Sequence, residues 1–491
     1  MDPEITEFAR SYKAFNEAMA RAADRNAPGL TRLGEHVQEF LGVSLDEVEP
    51  ITEYFPLHQT IDVDQAVDAL LAKYGGTQRG ISGSHRAHVD SFTDFLTQTF
   101  GSFGLGGVAY ERKATGPESD RRVVALGLGE VRIQAVPLIW LQRTALPRNG
   151  RLQYTLEVLC PNAPTADGFL TMVHEQMAQL SVLRGQVISF VVNDFDYHEA
   201  GSDLTFLRRP QVAAEEVILP DGTLERVVRH VVGIGERRAA LSAAGQHLKR
   251  GVLLYGPPGT GKTHLVCHLL GRTPGTTAVL LTGFTLRLLS EATALARAAP
   301  PAIVVLEDCD LVAEHRGGET NAVLFETLEA MDGLAPDEDI AFILTTNRVD
   351  LLERALVERP GRVDLAVEIA KPDLEGRERL FRLYAAEMLA AGQLTEATVH
   401  TAAARTEGVT ASFTKELVRR VVINAALEER PPRDADVNDA LDEMLSDAES
   451  LTRTLLGGVG SDLAAPDGWE TDLGPGVAPA PYRGRVIAFE E

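Results

Sequence analysis

GVLLYGPPGTGKT, at residues 251–263, is the most informative stretch of this 491-residue chain. The apolar run Gly251–Tyr255 leads into a loop of the pattern GxxxxGK[ST], and the apolar-rich segment His264–Leu270 follows. A strand, a glycine-rich loop and a helix in this order direct backbone N–H groups and the helix N-terminus at bound phosphates. We therefore predict a phosphate-binding loop made of Gly256, Pro257, Pro258, Gly259, Thr260, Gly261, Lys262 and Thr263, with His264 as a further cofactor-binding residue.

Two side chains of this loop have chemistry that suits a nucleotide carrying a magnesium ion. In the pattern GxxxxGK[ST], the lysine, here Lys262, reaches the β- and γ-phosphates. The hydroxyl that follows it, here Thr263, ligates Mg²⁺. The cofactors that this loop predicts are ATP and Mg²⁺.

After the strand, loop and helix, short apolar runs alternate with helical segments. This alternation predicts a parallel sheet flanked by helices, the α/β class of P-loop NTPases, followed by a mainly helical stretch. The predicted strands are Gly251–Tyr255, Ala278–Leu281, Ala302–Leu306, Ile340–Thr345 and Leu365–Ile369.

Polar side chains follow the ends of two of these strands. Glu307 and Asp308 come directly after one strand, and Asn347 closes the next. Open α/β sheets bind ligands at the carboxyl ends of their strands. We predict that one acid holds Mg²⁺, with Glu307 as the candidate ligand, and that the other polarises the attacking water. Asn347 is predicted to hydrogen-bond the lytic water or the γ-phosphate.

A second cationic element lies farther along the chain, at Arg359-Pro360-Gly361-Arg362. Two arginines beside a Pro-Gly turn form a stiff cationic point, which is the chemistry of an arginine finger that neutralises a transferring γ-phosphate. The alternative is a pair of surface arginines that bind Glu358 and Asp364.

The first 207 residues are predicted to form an α+β domain for a substrate or partner, mostly helical up to about residue 105. Four further parts are predicted after it: a linker at 208–222, the nucleotide-binding part at 223–372, a helical part at 373–456 and a disordered acidic Gly/Pro-rich tail at 457–491. The predicted amino-terminal helices are Phe8–Ala22, Asp64–Tyr74, Val89–Phe100 and Ala166–Leu183. The predicted strands there, punctuated by Gly127 and Gly129, are Arg122–Leu128, Glu130–Ile139, Gln153–Cys160 and Gln186–Asn193.

Composition narrows the class of partner. The formal net charge of -24 argues against a broad electrostatic surface for nucleic acid or anionic lipid. No run approaches the roughly 18 apolar residues of a membrane span, so no membrane anchor is expected. The chain has 3 cysteines without CxxC spacing, which fits a reducing cytoplasm and disfavours a disulfide framework.

Four motifs resemble the AAA ATPase family in their order and spacing, within a similarity that covers about Val217–Ala426. They are the loop GPPGTGKT, the strand that ends in two acids, the TTN strand end and ALVERPGRVD. The resemblance implies a homohexameric ring in which Arg359 and Arg362 act on the ATP of a neighbouring subunit. It also implies that the helical stretch is a lid domain, and that Gly233 and Ile234 lie beside the adenine. The expected activity is ATP hydrolysis that remodels, disassembles or translocates a protein partner.

Three departures from the family pattern leave alternatives open. The acids stand in the order Glu307-Asp308 rather than Asp-Glu, so the residue aligned with the catalytic base is one methylene shorter. Thr282–Ala294 lacks the aromatic-hydrophobic-glycine step of a pore loop, and Glu358 is an extra residue before Arg359. One alternative is an ATP-gated scaffold or adaptor with slow or negligible hydrolysis. Another is a DNA-acting AAA+ ATPase, which the charge disfavours.

Overall fold

The computed structural model describes residues 29–83, 89, 91–97, 102–145, 152–191, 203–309, 333, 335, 337–348 and 363–446. These residues fall into two compact units that divide between Ala370 and Lys371. The predicted helix Phe8–Ala22 and the predicted tail 457–491 lie outside the described residues. None of the described helices is long and apolar enough to cross a membrane.

The first unit opens with a 7-stranded sheet of order β1-β7-β6-β5-β2-β3, in which β4 also pairs with β5. All of these pairs are antiparallel. The strands are β1 Ile51–Phe55, β2 Thr77–Ser82, β3 Gly104–Gly106, β4 Ala109–Ala114, β5 Asp120–Ile133, β6 Val136–Ala145 and β7 Gln153–Leu159. The accompanying helices are Arg32–Leu41, Thr60–Tyr74, Phe92–Leu96 and Ala163–Leu180, with 3-10 turns at Leu45–Glu47 and Leu57–Gln59.

Helices cover both faces of this first sheet because neighbouring strand residues point to opposite sides. Trp140 packs in one apolar cluster with Val67 and Phe169 from two of the helices. Leu141, the next residue, packs in another cluster with Val37 of a third helix. The sheet is therefore buried on both faces.

The stretch up to about residue 105, which was expected to be mostly helical, contains strands β1 and β2 beside its helices. The expectation that Gly127 and Gly129 punctuate the strands was wrong. Gly127 and Gly129 do not separate strands, because β5 runs through both, and the turn lies at Gln134 and Ala135, which have φ values of 50° and 71°. Gly129 pairs across the sheet with Trp140, and a Cβ added to the glycine would lie 2.1 Å from the indole Cζ2.

The second sheet of this unit has order β14-β10-β13-β12-β11-β8-β9. Its pairs are parallel except for β8 with β9. The strands are β8 Val187–Val191, β9 Asp203–Leu207, β10 Arg250–Tyr255, β11 Thr277–Thr282, β12 Ala302–Glu307, β13 Ile340–Thr346 and β14 Leu365–Glu368. The five strands predicted around the phosphate loop are all present, so the predicted α/β sheet is confirmed.

The strand predicted at Gln186–Asn193 was assigned to the amino-terminal region, and the structure corrects this assignment. It forms β8, which pairs with β11 of the second sheet through Val187, Ile188 and Ser189. Its apolar residues Ile188 and Phe190 are buried in the core of that sheet. The predicted domain boundary at 207/208 stays a prediction, but the second sheet already begins at Val187.

Helices also cover both faces of the second sheet. One face packs against the helices Thr223–Val228 and Lys262–Gly271, through Val227, Leu265 and Leu269 among others. The other packs against the helix Leu289–Ala298. The remaining helical segments are Ala214–Glu216, Arg229–Gly233, Ile234–Glu236, Arg238–Ala243 and Gly283–Leu288.

The described part of the second unit, residues 371–446, contains helices and no strand. Its core includes Phe381, Val399, Phe413, Val421 and Leu441. The helices are Leu374–Tyr384, Ala386–Ala390, Glu396–Arg405, Ala411–Leu427 and Asp434–Leu445.

Candidate nucleotide-binding site

The predicted phosphate loop connects β10 to the helix Lys262–Gly271 and depends on its glycines. Gly256, Gly259 and Gly261 have φ values of 145°, 76° and 105°, which residues with a side chain rarely adopt. At Gly256 an added Cβ would also lie 2.3 Å from the carbonyl oxygen of Ile369. The loop therefore has the tight, backbone-lined form that phosphate binding requires.

Lys262 lies at the start of the helix, and its side chain turns back over the loop. Its Nζ donates to the carbonyl oxygens of Gly256 and Pro257, at 2.8 and 2.9 Å, and to Asn347 Oδ1 at 2.7 Å. The Thr260 hydroxyl also donates to Pro257, at 2.9 Å, and braces the loop. The ammonium group therefore lies against the phosphate loop and beside Asn347.

Asn347 connects the loop to the acidic strand end. Strands β12 and β13 are parallel neighbours, so their carboxyl ends lie side by side. From there, Asn347 Nδ2 donates to Asp308 Oδ1 at 3.3 Å, while Asn347 Oδ1 accepts the bond from Lys262. Three residues predicted from separate motifs therefore form one hydrogen-bonded chain.

Glu307 and Thr263 form the second link of the site. The Thr263 hydroxyl donates to the Glu307 carboxylate. Burial raises the pKa of Glu307 above its ordinary value and the charge of Asp308 adds to the rise, whereas the bond from Thr263 opposes it. A carboxylate and a hydroxyl next to a phosphate loop are the oxygen donors that Mg²⁺ takes, so this pair fits the predicted metal.

Asp308 has a backbone conformation that the sequence did not reveal. Its φ is 50°, in the left-handed region. Its N–H donates to the Thr345 hydroxyl at 3.0 Å, and the N–H of Cys309 donates to the Thr345 carbonyl at 3.0 Å. The sequence predicted that the polar cluster Thr345-Thr346-Asn347 hydrogen-bonds the lytic water or the γ-phosphate, with Asn347 as the preferred residue. The contact of the Thr345 hydroxyl with Asp308 is visible only once β12 and β13 are paired.

Gly233 and Ile234 are predicted to lie beside the adenine. Gly233 ends the helical segment Arg229–Gly233, and Ile234 directly follows it. Val231 and Val232 on that segment belong to the apolar cluster that also contains Leu265 of the loop helix. Arg250 Nε donates to the Val231 carbonyl at 3.1 Å and fixes the segment to β10. The adenine contact stays a prediction, as does a nucleotide contact from His264.

Arg359, Arg362 and the extra Glu358 lie outside the described residues, so their roles also stay predictions. The segment Thr282–Ala294 is described: it forms the 3-10 helix Gly283–Leu288 and the first part of a regular helix. Phe284 on it is 71% exposed.

Arg209 and His268 tie the predicted linker to the far end of the loop helix. The Arg209 guanidinium donates to the Leu270 carbonyl at 2.7 Å and to the Thr276 carbonyl at 2.6 Å. His268 Nδ1 lies 2.7 Å from the Val212 carbonyl oxygen. The sequence showed Arg208-Arg209 only as an isolated basic pair, because these carbonyls become neighbours only in the fold.

The sequence of this region is similar to those of known proteins. Residues 252–371 match the model of the ATPase family associated with various cellular activities (AAA). The chain is 32% identical over 242 residues to the ATP-dependent zinc metalloprotease FtsH 2 of Symbiobacterium thermophilum, covering 46% of this chain and 40% of that protein. It is 31% identical over 239 residues to the proteasome-activating nucleotidase of Archaeoglobus fulgidus, covering 45% and 58%.

A third relative is the 26S protease regulatory subunit 6A of Caenorhabditis elegans, 33% identical over 159 residues, or 29% of this chain and 37% of that protein. The chain thus spans less than two thirds of the length of each of these relatives. Within the described residues, no group of three or more His, Cys, Asp or Glu side chains is placed to hold a metal ion.

Proposed function

We propose that this chain is an AAA-type ATPase, with ATP and Mg²⁺ as its cofactors, which uses ATP hydrolysis to remodel, disassemble or translocate a protein partner. The match of residues 252–371 to the AAA model and the ATPase relatives support this proposal. The observation that carries the hydrolytic part is the hydrogen-bonded chain from Lys262 through Asn347 to Asp308. It joins the phosphate-binding lysine to the carboxylate aligned with the catalytic base.

Each residue of the site has one task in this proposal. Lys262 and the loop N–H groups bind the phosphates, and Thr263 with Glu307 holds Mg²⁺, which when bound neutralises charge on the phosphates. Asp308 accepts a proton from the attacking water, and Asn347 orients that water beside the carboxylate. Arg359 and Arg362 would complete the site of a neighbouring subunit.

The proposed protein partner is supported by the names of the relatives. Two of them are named for the proteasome or the 26S protease and one is an ATP-dependent protease. We assign partner capture to the amino-terminal sheet and its helices, and the function of a lid to the helices at 371–446. The assembly is a homohexamer, and we place it in the cytoplasm.

The order Glu307-Asp308 specifically favours a second function, that of an ATP-gated scaffold with negligible hydrolysis. The two functions predict opposite effects of Asp308→Glu. If the shorter acid is out of reach of the water, the longer side chain raises turnover. If Asp308 is correctly placed, as its bond to Asn347 supports, Asp308→Glu lowers turnover.

The test begins with phosphate release by the full chain and by Lys262→Ala. We expect hydrolysis by the wild type and loss of ATP binding in the variant, since Lys262 is the cation of the loop. Lys73→Ala, which changes an exposed lysine of an amino-terminal helix, is the matched control and keeps wild-type turnover. If the wild type binds ATP but releases no phosphate, with or without partners, the hydrolytic function is excluded and the ATP-gated scaffold remains.

The partner and the ring are tested separately. Asp308→Asn should bind ATP without hydrolysing it, hold the partner and allow its identification by mass spectrometry. Light scattering with and without ATP measures the assembly, and Arg359→Ala should reduce turnover without preventing ATP binding. Turnover equal to the wild type in Arg359→Ala would contradict a site shared between subunits.

A further inference from the structure

The backbone at Asp308 is unusual for a residue with a side chain. Among the described residues, the non-glycine residues with positive φ are Gln134, Ala135, Asp308 and Glu429. Gln134 and Ala135 form the tight turn between β5 and β6, whereas Asp308 follows a buried parallel strand. Aspartate and asparagine adopt the left-handed region more readily than longer residues, because their short polar side chains bond locally.

Thr345 is the residue that holds this conformation. Its hydroxyl accepts from the Asp308 N–H and its carbonyl oxygen accepts from the Cys309 N–H, both at 3.0 Å. It is 1% exposed and lies on β13, paired on the far side with Leu254 of β10. A buried residue in the middle of a sheet cannot move easily, so its hydroxyl is a fixed acceptor.

We propose that Thr345 is a positioning residue for ATP hydrolysis, which fixes the backbone of Asp308 so that its carboxylate faces Asn347 and the loop. The inference rests on the proposed role of Asp308 as the base. It also accounts for the order of the acids: a left-handed position favours the shorter acid, and the Thr345 bond sets where that acid points. The shorter side chain is thus matched to its backbone.

The test compares Thr345→Val, which replaces the hydroxyl by a methyl of similar size, with Thr345→Ser, which retains the hydroxyl. Small misplacements of catalytic groups cost up to about 100-fold in rate. We expect Thr345→Val to lower kcat by about tenfold, with KM for ATP and the Kd of a fluorescent ATP analogue within about twofold of the wild type. Thr345→Ser should recover most of kcat.

A pH profile separates positioning from general loss of structure. The acidic limb of kcat against pH reports the base in the enzyme–substrate complex, so it should move in Thr345→Val and return in Thr345→Ser. The matched control is Thr277→Val, a buried strand threonine whose hydroxyl bonds the Ala299 carbonyl at the opposite end of the sheet. It should lose stability and keep the wild-type kcat and profile.

The outcomes separate this inference from the proposed function. If Asp308→Asn abolishes turnover while Thr345→Val keeps the wild-type kcat and pH profile, the positioning role of Thr345 is wrong. The assignment of Asp308 as the base still holds in that case. If Thr345→Val changes kcat and KM only as Thr277→Val does, its role is structural and the inference is also wrong. If Asp308→Asn retains turnover, the assignment of the base fails first, and the inference fails with it.

Discussion

Two substitutions of Asn347 can separate its contact with Lys262 of the phosphate loop from its contact with Asp308. Asn347→Ala removes the bonds to Lys262 and Asp308, whereas Asn347→Asp keeps an oxygen that can accept from Lys262 and replaces the N–H donor that faces Asp308. Lys262 keeps its bonds to Gly256 and Pro257 in either variant. We therefore expect ATP binding to persist in both, with KM within about threefold of the wild type.

The bond from Asn347 to Asp308 sets the size of the expected effect. Hydrogen bonds to charged groups contribute about 1.5 to 3 kcal/mol, and a length of 3.3 Å places this one at the lower end. A loss of about 1.4 kcal/mol in the transition state lowers the rate about tenfold. Asn347→Ala should thus reduce kcat by about one order of magnitude.

Asn347→Asp should add a pH effect that Asn347→Ala lacks. Two carboxylates that share a site repel each other, which raises a pKa of the pair, so the acidic limb of kcat would move upward. Phosphate release at saturating ATP and Mg²⁺, from about pH 5.5 to 9, measures both effects. Asn438→Ala, at an exposed position of the second unit, is the control. Wild-type kcat in Asn347→Ala, or identical profiles for the two variants, would refute the proposed contact.

Three further predictions concern stability. Asp64 is buried, and burial raises its pKa to about 6. Protonated Asp64 stabilises the fold fully below about pH 4, and this contribution is lost as the pH rises through 6. In urea titrations, the stability of the wild type relative to Asp64→Asn should therefore fall by about 1 kcal/mol between pH 5 and 7.5. Arg250→Met removes the 2.7 Å partner of the buried Asp339 and leaves it the 3.5 Å ion pair with Arg238, so the loss of stability should stay below that of an uncompensated buried charge, about 3 to 5 kcal/mol. Arg250→Met/Asp339→Leu should recover part of this loss, and no recovery would contradict the pairing. Gly129→Ala should lower the melting temperature, because its Cβ would overlap the buried Trp140 indole, and an unchanged melting temperature would contradict that packing.

The sequence predicted the α/β sheet well because its signals are local. A fully buried parallel strand can be recognised as a short apolar run, and the glycines of the phosphate loop can be recognised directly from the sequence motif. Lys262, Asp308 and Asn347 were predicted to meet because carboxyl ends of parallel strands share one edge. Their hydrogen bonds confirm that they lie together, while their chemical roles stay predictions.

The errors arose where a long-range contact overrides the local pattern. Gly127 and Gly129 resembled strand breaks, but Gly129 is needed where the Trp140 indole crosses the neighbouring strand. The strand at Val187–Val191 could not be assigned to the correct sheet, because its pairing with β11 joins residues about 90 positions apart. The contact of Thr345 with Asp308 was missed for the same reason, because the two residues lie 37 positions apart.

The hairpin of β8 and β9 affects how this protein can be divided for experiments. A shortened chain that begins at residue 208 would retain the phosphate loop but lose both strands, leaving the backbone of β11 as an open sheet edge. It would also uncover the core surface now filled by Ile188, Phe190 and Phe206. Such a fragment is expected to aggregate. A fragment that starts just before Val187 keeps β8 and β9 beside β11, so the smallest ATPase fragment must include residues that sequence alone assigns to the partner-binding region.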